Sequence, residues 1–174
     1  MLRLIMMNAN SSYLNQAVKL YRRAFPANER QSLTPLLNDP LKQGEIFAAL
    51  DEKGFAGFFA LLSYKDITHI LYLAIEEDRR EYGYGSEILK RIQSMYPNNR
   101  IIADVEMVED DSENNLQRKK RMHFYRRNGY HMTEVRYRWE DEDYVILTSK
   151  GTLTTQEFRE FWNYFYKNRN GFIQ

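Results

Sequence analysis

Between Tyr72 and Ser86 the chain changes period, and this change narrows its possible folds more than any other feature of the sequence. The run Tyr72-Leu73-Ala74-Ile75 is apolar and suits a strand. A charged turn, Glu76 to Glu81, leads into Tyr82-Gly83-Tyr84-Gly85-Ser86. After it Ile88, Leu89, Ile92 and Met95 recur at helical spacing until Pro97-Asn98-Asn99. A strand that passes through glycine directly into a helix carries the helix's unpartnered first-turn N–H groups to the strand's end. Glycine permits positive φ and close backbone approach, and the helix dipole adds positive potential. With Arg80 as a fixed charge beside it, such a turn suits a pyrophosphate. A dinucleotide fingerprint would need a third glycine at the position of Ile88 and a parallel βαβ setting. A P-loop would need Gly-Lys-Ser/Thr, which does not follow.

The flanking sequence supplies the rest of the architecture. Leu2–Met7 reads as a strand. Ser11 or Ser12 is placed to cap a helix carrying Leu14, Val18, Tyr21 and Phe25, which Pro26 closes, and residues 30–38 suggest a second short helix. Glu45–Leu50, Phe55–Ser63 and Ile67–Ile75, separated by turns at Asp51–Gly54 and Lys65-Asp66, read as an antiparallel meander. Beyond the glycine turn come a strand at Arg100–Val108, an acidic connecting loop at 109–115, a helix over about 116–128 that stops at Asn128-Gly129, and strands His131–Glu140 and Tyr144–Ser149 joined by Asp141-Glu142-Asp143. A last helix, capped by Thr154 or Thr155, bears Phe158, Phe161, Trp162, Phe165 and Tyr166 and either covers the sheet or forms a homodimer surface.

At 174 residues a chain buries roughly 70% of its unfolded surface on folding, and with no linker or repeat in view one domain over 1–174 is expected. The 25 Lys and Arg against 24 Asp and Glu leave a net charge of +1, so no global field recruits nucleic acid or an anionic membrane. The absence of cysteine removes thiolate chemistry, and three scattered histidines offer no paired metal-ligand spacing, so no metal is expected. The N-terminal apolar stretch is shorter than a secretory core, and no window approaches the ~20 apolar residues of a membrane span. A cytoplasmic location follows as the default.

A second motif sits downstream. Arg80-Glu81-Tyr82-Gly83-Tyr84-Gly85 resembles the R/Q-x-x-G-x-G/A acetyl-CoA pyrophosphate loop of the GNAT superfamily of N-acetyltransferases. Phe124-Tyr125-Arg126-Arg127-Asn128-Gly129-Tyr130 resembles the F-Y-x-x-x-G-F/Y exit of that family's fourth helix. The order of elements over about 1–150 is similar too, with the helix 154–168 added. The resemblance implies a mixed α/β (α+β) fold, a mostly antiparallel central sheet flanked by helices, that transfers an acetyl group from acetyl-CoA as co-substrate to an amine. It implies that the backbone of Leu73, Ala74 and Ile75 pairs with the pantetheine arm. It also implies that the loop Arg80, Glu81, Tyr82, Gly83, Tyr84, Gly85 and Ser86 holds the pyrophosphate, and that Tyr125 is the acid at the sulfur. Two positions depart from the family: Glu81 stands where glycine is frequent, and Arg118 where an Asn contacts pantetheine, with Asn114 or Asn115 as alternatives. A silent acyl-CoA-binding module on the same fold is the rival reading.

Direct transfer needs a neutral amine, stabilisation of the developing oxyanion and a proton for the thiolate, with no covalent enzyme nucleophile. A tyrosine of pKa near ~10 is matched to a thiol of pKa near ~8.5. On a helical wheel Gln117, Arg121, Phe124 and Asn128 share a face opposite Lys119, Lys120, Arg126 and Arg127, and an inward Arg121 needs a partner. Asp104 and Glu106 alternate on one strand face; Glu106 is either that structural partner or a base that relays the amine proton. Glu29, after Pro26, lies where family members place substrate-facing segments and could meet a cationic amine, and Arg121 is the second candidate for the acceptor.

Overall fold

The computed structural model describes residues 1–41, 43–108 and 115–168. Seven strands form one sheet: β1 (Arg3–Met6), β2 (Gly44–Asp51), β3 (Gly54–Tyr64), β4 (Ile67–Ile75), β5 (Arg100–Glu106), β6 (His131–Trp139) and β7 (Glu142–Thr148). The helices are α1 (Leu14–Ala24), α2 (Thr34–Leu37), α3 (Tyr84–Met95), α4 (Asn115–Arg127) and α5 (Thr155–Asn168), with 3-10 turns at Ala27–Glu29 and Glu77–Tyr82. The strand order is β1-β2-β3-β4-β5-β7-β6. Every neighbouring pair is antiparallel except β4–β5, which is parallel.

Strand alternation separates two cores. Phe58, Ala60 and Leu62 of β3 point to one face, where they meet Ala17, Leu20 and Tyr21 of α1, Leu36 of α2 and Phe158, Phe161 and Phe165 of α5. Phe59 and Leu61 point to the other, against Ile88, Leu89 and Ile92 of α3 and Met122 and Tyr125 of α4. Each large apolar side chain buried this way contributes roughly 1.5–3 kcal/mol of transfer free energy. Phe158, Phe161 and Phe165 of the aromatic stripe of α5 thus cover the sheet with Trp162 packed beside them, and the Tyr166 side chain lies outside the described residues. Thr154 caps the helix through its Oγ1, which accepts from Glu157 N–H (3.1 Å), while Glu157 Oε2 accepts from Thr154 N–H (2.9 Å).

Four local expectations change. The α1 N-cap is Tyr13 and no side chain caps the helix; Ser11 contributes its carbonyl, which accepts from Leu14 N–H at 3.2 Å. β5 ends at Glu106 rather than Val108. The β6–β7 turn is Glu140-Asp141, both at positive φ (47° and 68°), so Glu142 and Asp143 belong to β7. Such a two-residue turn matches the twist of the strands it joins. On α4 the buried ridge is Arg118, Met122 and Tyr125, while Gln117 is exposed and Arg121 and Phe124 are half-buried. The helix is set by Arg118, whose charge the wheel argument keeps out of the core. Of the acidic loop expected at 109–115, residues 109–114, Asn114 among them, lie outside the described residues, and Asn115 opens α4.

Candidate active site

The parallel pair β4–β5 stays together for only four residues, Ile67↔Arg100 to Ile70↔Ala103. Immediately afterwards Leu71 is an extra residue on β4 relative to β3, between the pairs Leu61↔Ile70 and Ala60↔Tyr72. Such a bulge bends and twists the strand that carries it. β4 keeps its pairing with β3 up to Ile75, and β5 keeps its pairing with β7 up to Glu106, but the two strands have parted. A cleft of about 980 Å³ opens between them, with Leu73, Ala74 and Ile75 along one wall and Asp104 and Tyr125 on the other side. Gly57 allows β4 to lie close on β3: a Cβ there would overlap the Ala74 carbonyl oxygen and come within 2.9 Å of Ile75 Cδ1.

At one end of the cleft is the glycine turn. Gly83 adopts the left-handed region (φ 73°, ψ 15°) and caps α3 without a side-chain hydrogen bond. The N–H groups of Tyr84, Gly85 and Ser86, in the first turn of α3, therefore have no intrahelical acceptor. Gly85 lies against Phe124 of α4, and a Cβ there would stand 3.0 Å from Phe124 Cζ. Arg80, Gly83, Gly85 and Ser86 line the cleft, and Lys120 and Arg127 reach the same cavity from α4. Arg80 Nε–H also donates to the Ile75 carbonyl at 3.3 Å. Glu81 and Tyr82 stand exposed, and none of Glu81, Tyr82 and Tyr84 lines the cleft. The Tyr84 hydroxyl instead donates to Asp51 Oδ2 (3.1 Å), which also accepts from Arg79 Nε (2.9 Å). Burial opposes the Asp51 charge, yet the Lys53 N–H, Tyr84 and Arg79 hold its carboxyl below the usual carboxylate range. This anchor of the turn on the β2–β3 hairpin escapes a linear reading because its partners are 28 and 33 residues apart.

Along the α4 side, Glu106 carries two guanidinium groups. Its Oε2 faces Arg118 Nε at 2.9 Å and its Oε1 faces Arg121 Nη1 at 2.9 Å. Arg118 also donates to the Met107 carbonyl (3.0 Å) and pairs with Glu142 (2.7 Å). A charge as buried as Arg118, 4% exposed, requires such complete pairing. Arg121 has Glu106, not Asp104, as its partner. Tyr125, also on the cleft, packs its ring against Phe124 (5.2 Å) and Tyr130 (5.4 Å). Burial pushes its hydroxyl well above the ordinary tyrosine range, so the group keeps its proton at neutral pH but is a weaker acid than the match to a thiol near ~8.5 assumes.

The other end is walled by side chains from segments distant in the sequence. Glu29, in the 3-10 turn after α1, accepts from the Tyr144 hydroxyl at Oε1 (2.9 Å), and its carbonyl accepts from the Tyr72 hydroxyl (3.1 Å). Burial raises the Glu29 carboxyl above the usual range. Tyr144 stacks on Tyr137 with ring centroids 5.1 Å apart and planes 11° from parallel. The Tyr137 hydroxyl donates to Asp104 Oδ2. Asp104 Oδ1 lies 3.0 Å from His69 Nε2. Burial works against the Asp104 charge, but His69 and Tyr137 hold its carboxyl below the usual range. Because an ionised carboxylate only accepts, His69 donates from Nε2. The aromatic side chains of this end, Tyr72, Tyr137, Trp139, Tyr144 and Trp162, are missing from the sequence-based site. Only Tyr137 and Trp139, two apart on β6, share a periodic signal, and it puts them on one face of the strand without saying that the face lines a cleft. Among the described residues no group of three or more metal-ligating side chains is assembled, and no helix is long and apolar enough to cross a membrane.

Residues 42–132 match the family model described as an acetyltransferase (GNAT) domain. No curated protein matches the chain. Among solved structures, a putative acetyltransferase from the GNAT family of Bacteroides thetaiotaomicron superposes with a TM-score of 0.74 at 17% identity, over 99% of each chain. An aminoglycoside 6'-N-acetyltransferase complexed with coenzyme A gives 0.64 at 16% identity, over 87% of this chain and 99% of that one. A GNAT family acetyltransferase from Elizabethkingia anophelis with acetyl-CoA bound gives 0.58 at 14% identity, over 86% and 98%. At these identities the likeness is one of fold.

Proposed function

Since the chain belongs to the GNAT acetyltransferase family, whose domain its residues 42–132 match, we propose that it transfers an acetyl group from acetyl-CoA directly to a primary amine of a small molecule, peptide or protein. The observation that carries this reading is the parting of β4 from β5, which joins the glycine turn, Tyr125 and the Glu29 end in one cleft. Acetyl-CoA supplies the acyl group as an activated thioester. The residues present fit such a molecule: an uncapped helix start behind a left-handed glycine, with Arg80, Lys120 and Arg127 lining the same cleft, suits a diphosphate. The open edge of Leu73, Ala74 and Ile75 offers backbone groups to an amide-bearing arm. One N–H of that edge stabilises the negative charge that develops on the carbonyl oxygen. The neutral amine nitrogen forms the C–N bond as the C–S bond breaks. Tyr125 gives its proton to the departing sulfur and is replenished by the proton the nitrogen sheds. Glu106, with an oxygen held by each of two guanidinium groups, positions α4 rather than taking the amine proton.

The test is calorimetric binding of acetyl-CoA followed by thiol detection of CoA release across a panel of primary amines. Release that depends on an amine supports transfer. Binding with no release for any amine makes the protein an acyl-CoA-binding module instead, and absence of binding overturns both readings.

A further inference from the structure

The cations that line the cleft are unevenly committed. Arg23 is held by Glu76 (3.0 Å) and Arg121 by Glu106 (2.9 Å), while Arg80 and Lys120 lie with the glycine turn and α4. At the opposite end two carboxylates, Glu29 and Asp104, have no Lys or Arg at ion-pair distance among the described residues. Asp104 meets His69, whose Nδ1 is buried without a hydrogen-bond partner, with the ring edge-on to Phe158, Phe161 and Trp162. The two carboxylates are oriented together by the stacked pair Tyr137 and Tyr144, one hydroxyl to each. Two like charges thus stand at one aromatic-walled end of the cleft; His69 and Tyr137 hold the charge of Asp104, and that of Glu29 is the costly one until a cation enters. The raised Glu29 carboxyl is in keeping with that cost: burial is its main cause and the charges of Glu106 and Asp104 add to it, while the Tyr144 hydrogen bond and the charge of Arg121 oppose the rise without cancelling it. Tyr72, Trp139 and Trp162 line the same space, and aromatic side chains there favour a cation further.

The nitrogen that attacks a thioester must be neutral, so it cannot itself supply a positive charge to Glu29 or Asp104. We propose that the acceptor is an amine bearing a second, positively charged centre, which Glu29 and Asp104 hold within the aromatic end of the cleft. This rests on the acetyl-transfer reading for the role of the bound amine, but not for its binding.

The experiment compares diaminoalkanes of three to five carbons, each with a monoamine of the same number of heavy atoms, for example 1,4-diaminobutane against 1-aminopentane. Binding to the protein without acetyl-CoA is measured by calorimetry at 0.15 M salt, and kcat/KM is measured with acetyl-CoA. The best diamine should bind about tenfold more tightly than its monoamine, and kcat/KM should follow. In Glu29→Gln, where the amide oxygen can still accept from Tyr144, the preference should fall to about twofold. Equal binding of diamine and monoamine by the unsubstituted protein overturns the inference, as does a preference that Glu29→Gln leaves unchanged. If the diamine preference is present in binding but no amine releases CoA, the cation site stands and the acetyl-transfer reading fails.

Discussion

At the α3 end of the cleft the groups that face a ligand are mostly backbone: an open strand edge, a left-handed glycine and the first-turn N–H groups of a helix. At the β6–β7 end they are side chains, two carboxylates and a wall of aromatic rings. Backbone groups are the same whatever the side chain, so the first end depends on a few residues that permit the conformation, clustered in one short segment. The second end depends on the identity of residues drawn from positions 29, 104, 137 and 144. On the proposed reading, in which the first end binds the acyl donor and the second the acceptor, family membership is written in the first end and specificity in the second.

The wall common to both ends is β4, and its seating on β3 is the most sensitive point. Gly57→Ala puts a methyl group against the Ala74 carbonyl, which is backbone and cannot rotate away. The expected cost is about 3 kcal/mol, a fall in Tm of roughly 10 °C by thermal melt, with acetyl-CoA affinity and amine binding lost together. A Tm within about 2 °C of the parent would show that β4 is free to shift and that the two ends do not share a rigid wall.

Tyr125→Phe separates chemistry from both ends. The ring contacts with Phe124 and Tyr130 persist, so folding and acetyl-CoA binding should change by less than about twofold while kcat falls about 100-fold. Unchanged turnover would remove the acid role. A smaller pair of effects tests the backbone character of the α3 end. Gly85→Ala presses on Phe124 and should weaken acetyl-CoA binding about tenfold, whereas Ser86→Ala should change it less than about twofold. If both weaken binding equally, a side chain rather than the main chain holds the anion.

The same contrast explains what could be read in advance. The strand limits of β4 and the start of α3 were legible because Tyr72–Ser86 changes period, and periodicity reports local structure. The meander was legible for the same reason. The inward face of α4 was not: a wheel ranks side chains by polarity, and Arg118 is buried because Glu106 and Glu142 pay its desolvation, from 12 and 24 residues away. The stacked Tyr137 and Tyr144, and the carboxylates they orient, were hidden because nothing local distinguishes a tyrosine facing a cleft from one packed in a core. Glu29 entered only through the family resemblance, and its tie to Tyr144 spans 115 residues.

The smallest effect bears on the side-chain end alone. Glu29 has its carboxyl raised by burial, so between the unfolded value near ~4.3 and the higher native one the folded chain binds more protons than the unfolded chain. Native stability therefore falls as pH rises through that window, and the charge held at neutral pH is a cost of folding. Glu29→Gln removes the charge and keeps an acceptor for Tyr144. At pH 8 it should be more stable than the parent by roughly 1 kcal/mol, the usual size of such trades between stability and function, and the gain should vanish as pH falls to about 4. Thermal melts of both proteins across pH 4–8 decide it. A variant that is less stable at pH 8 would show that the carboxylate serves the fold through Tyr144; a gain that grows with pH, alongside a lost diamine preference, shows a charge the fold tolerates for a cation it does not itself contain.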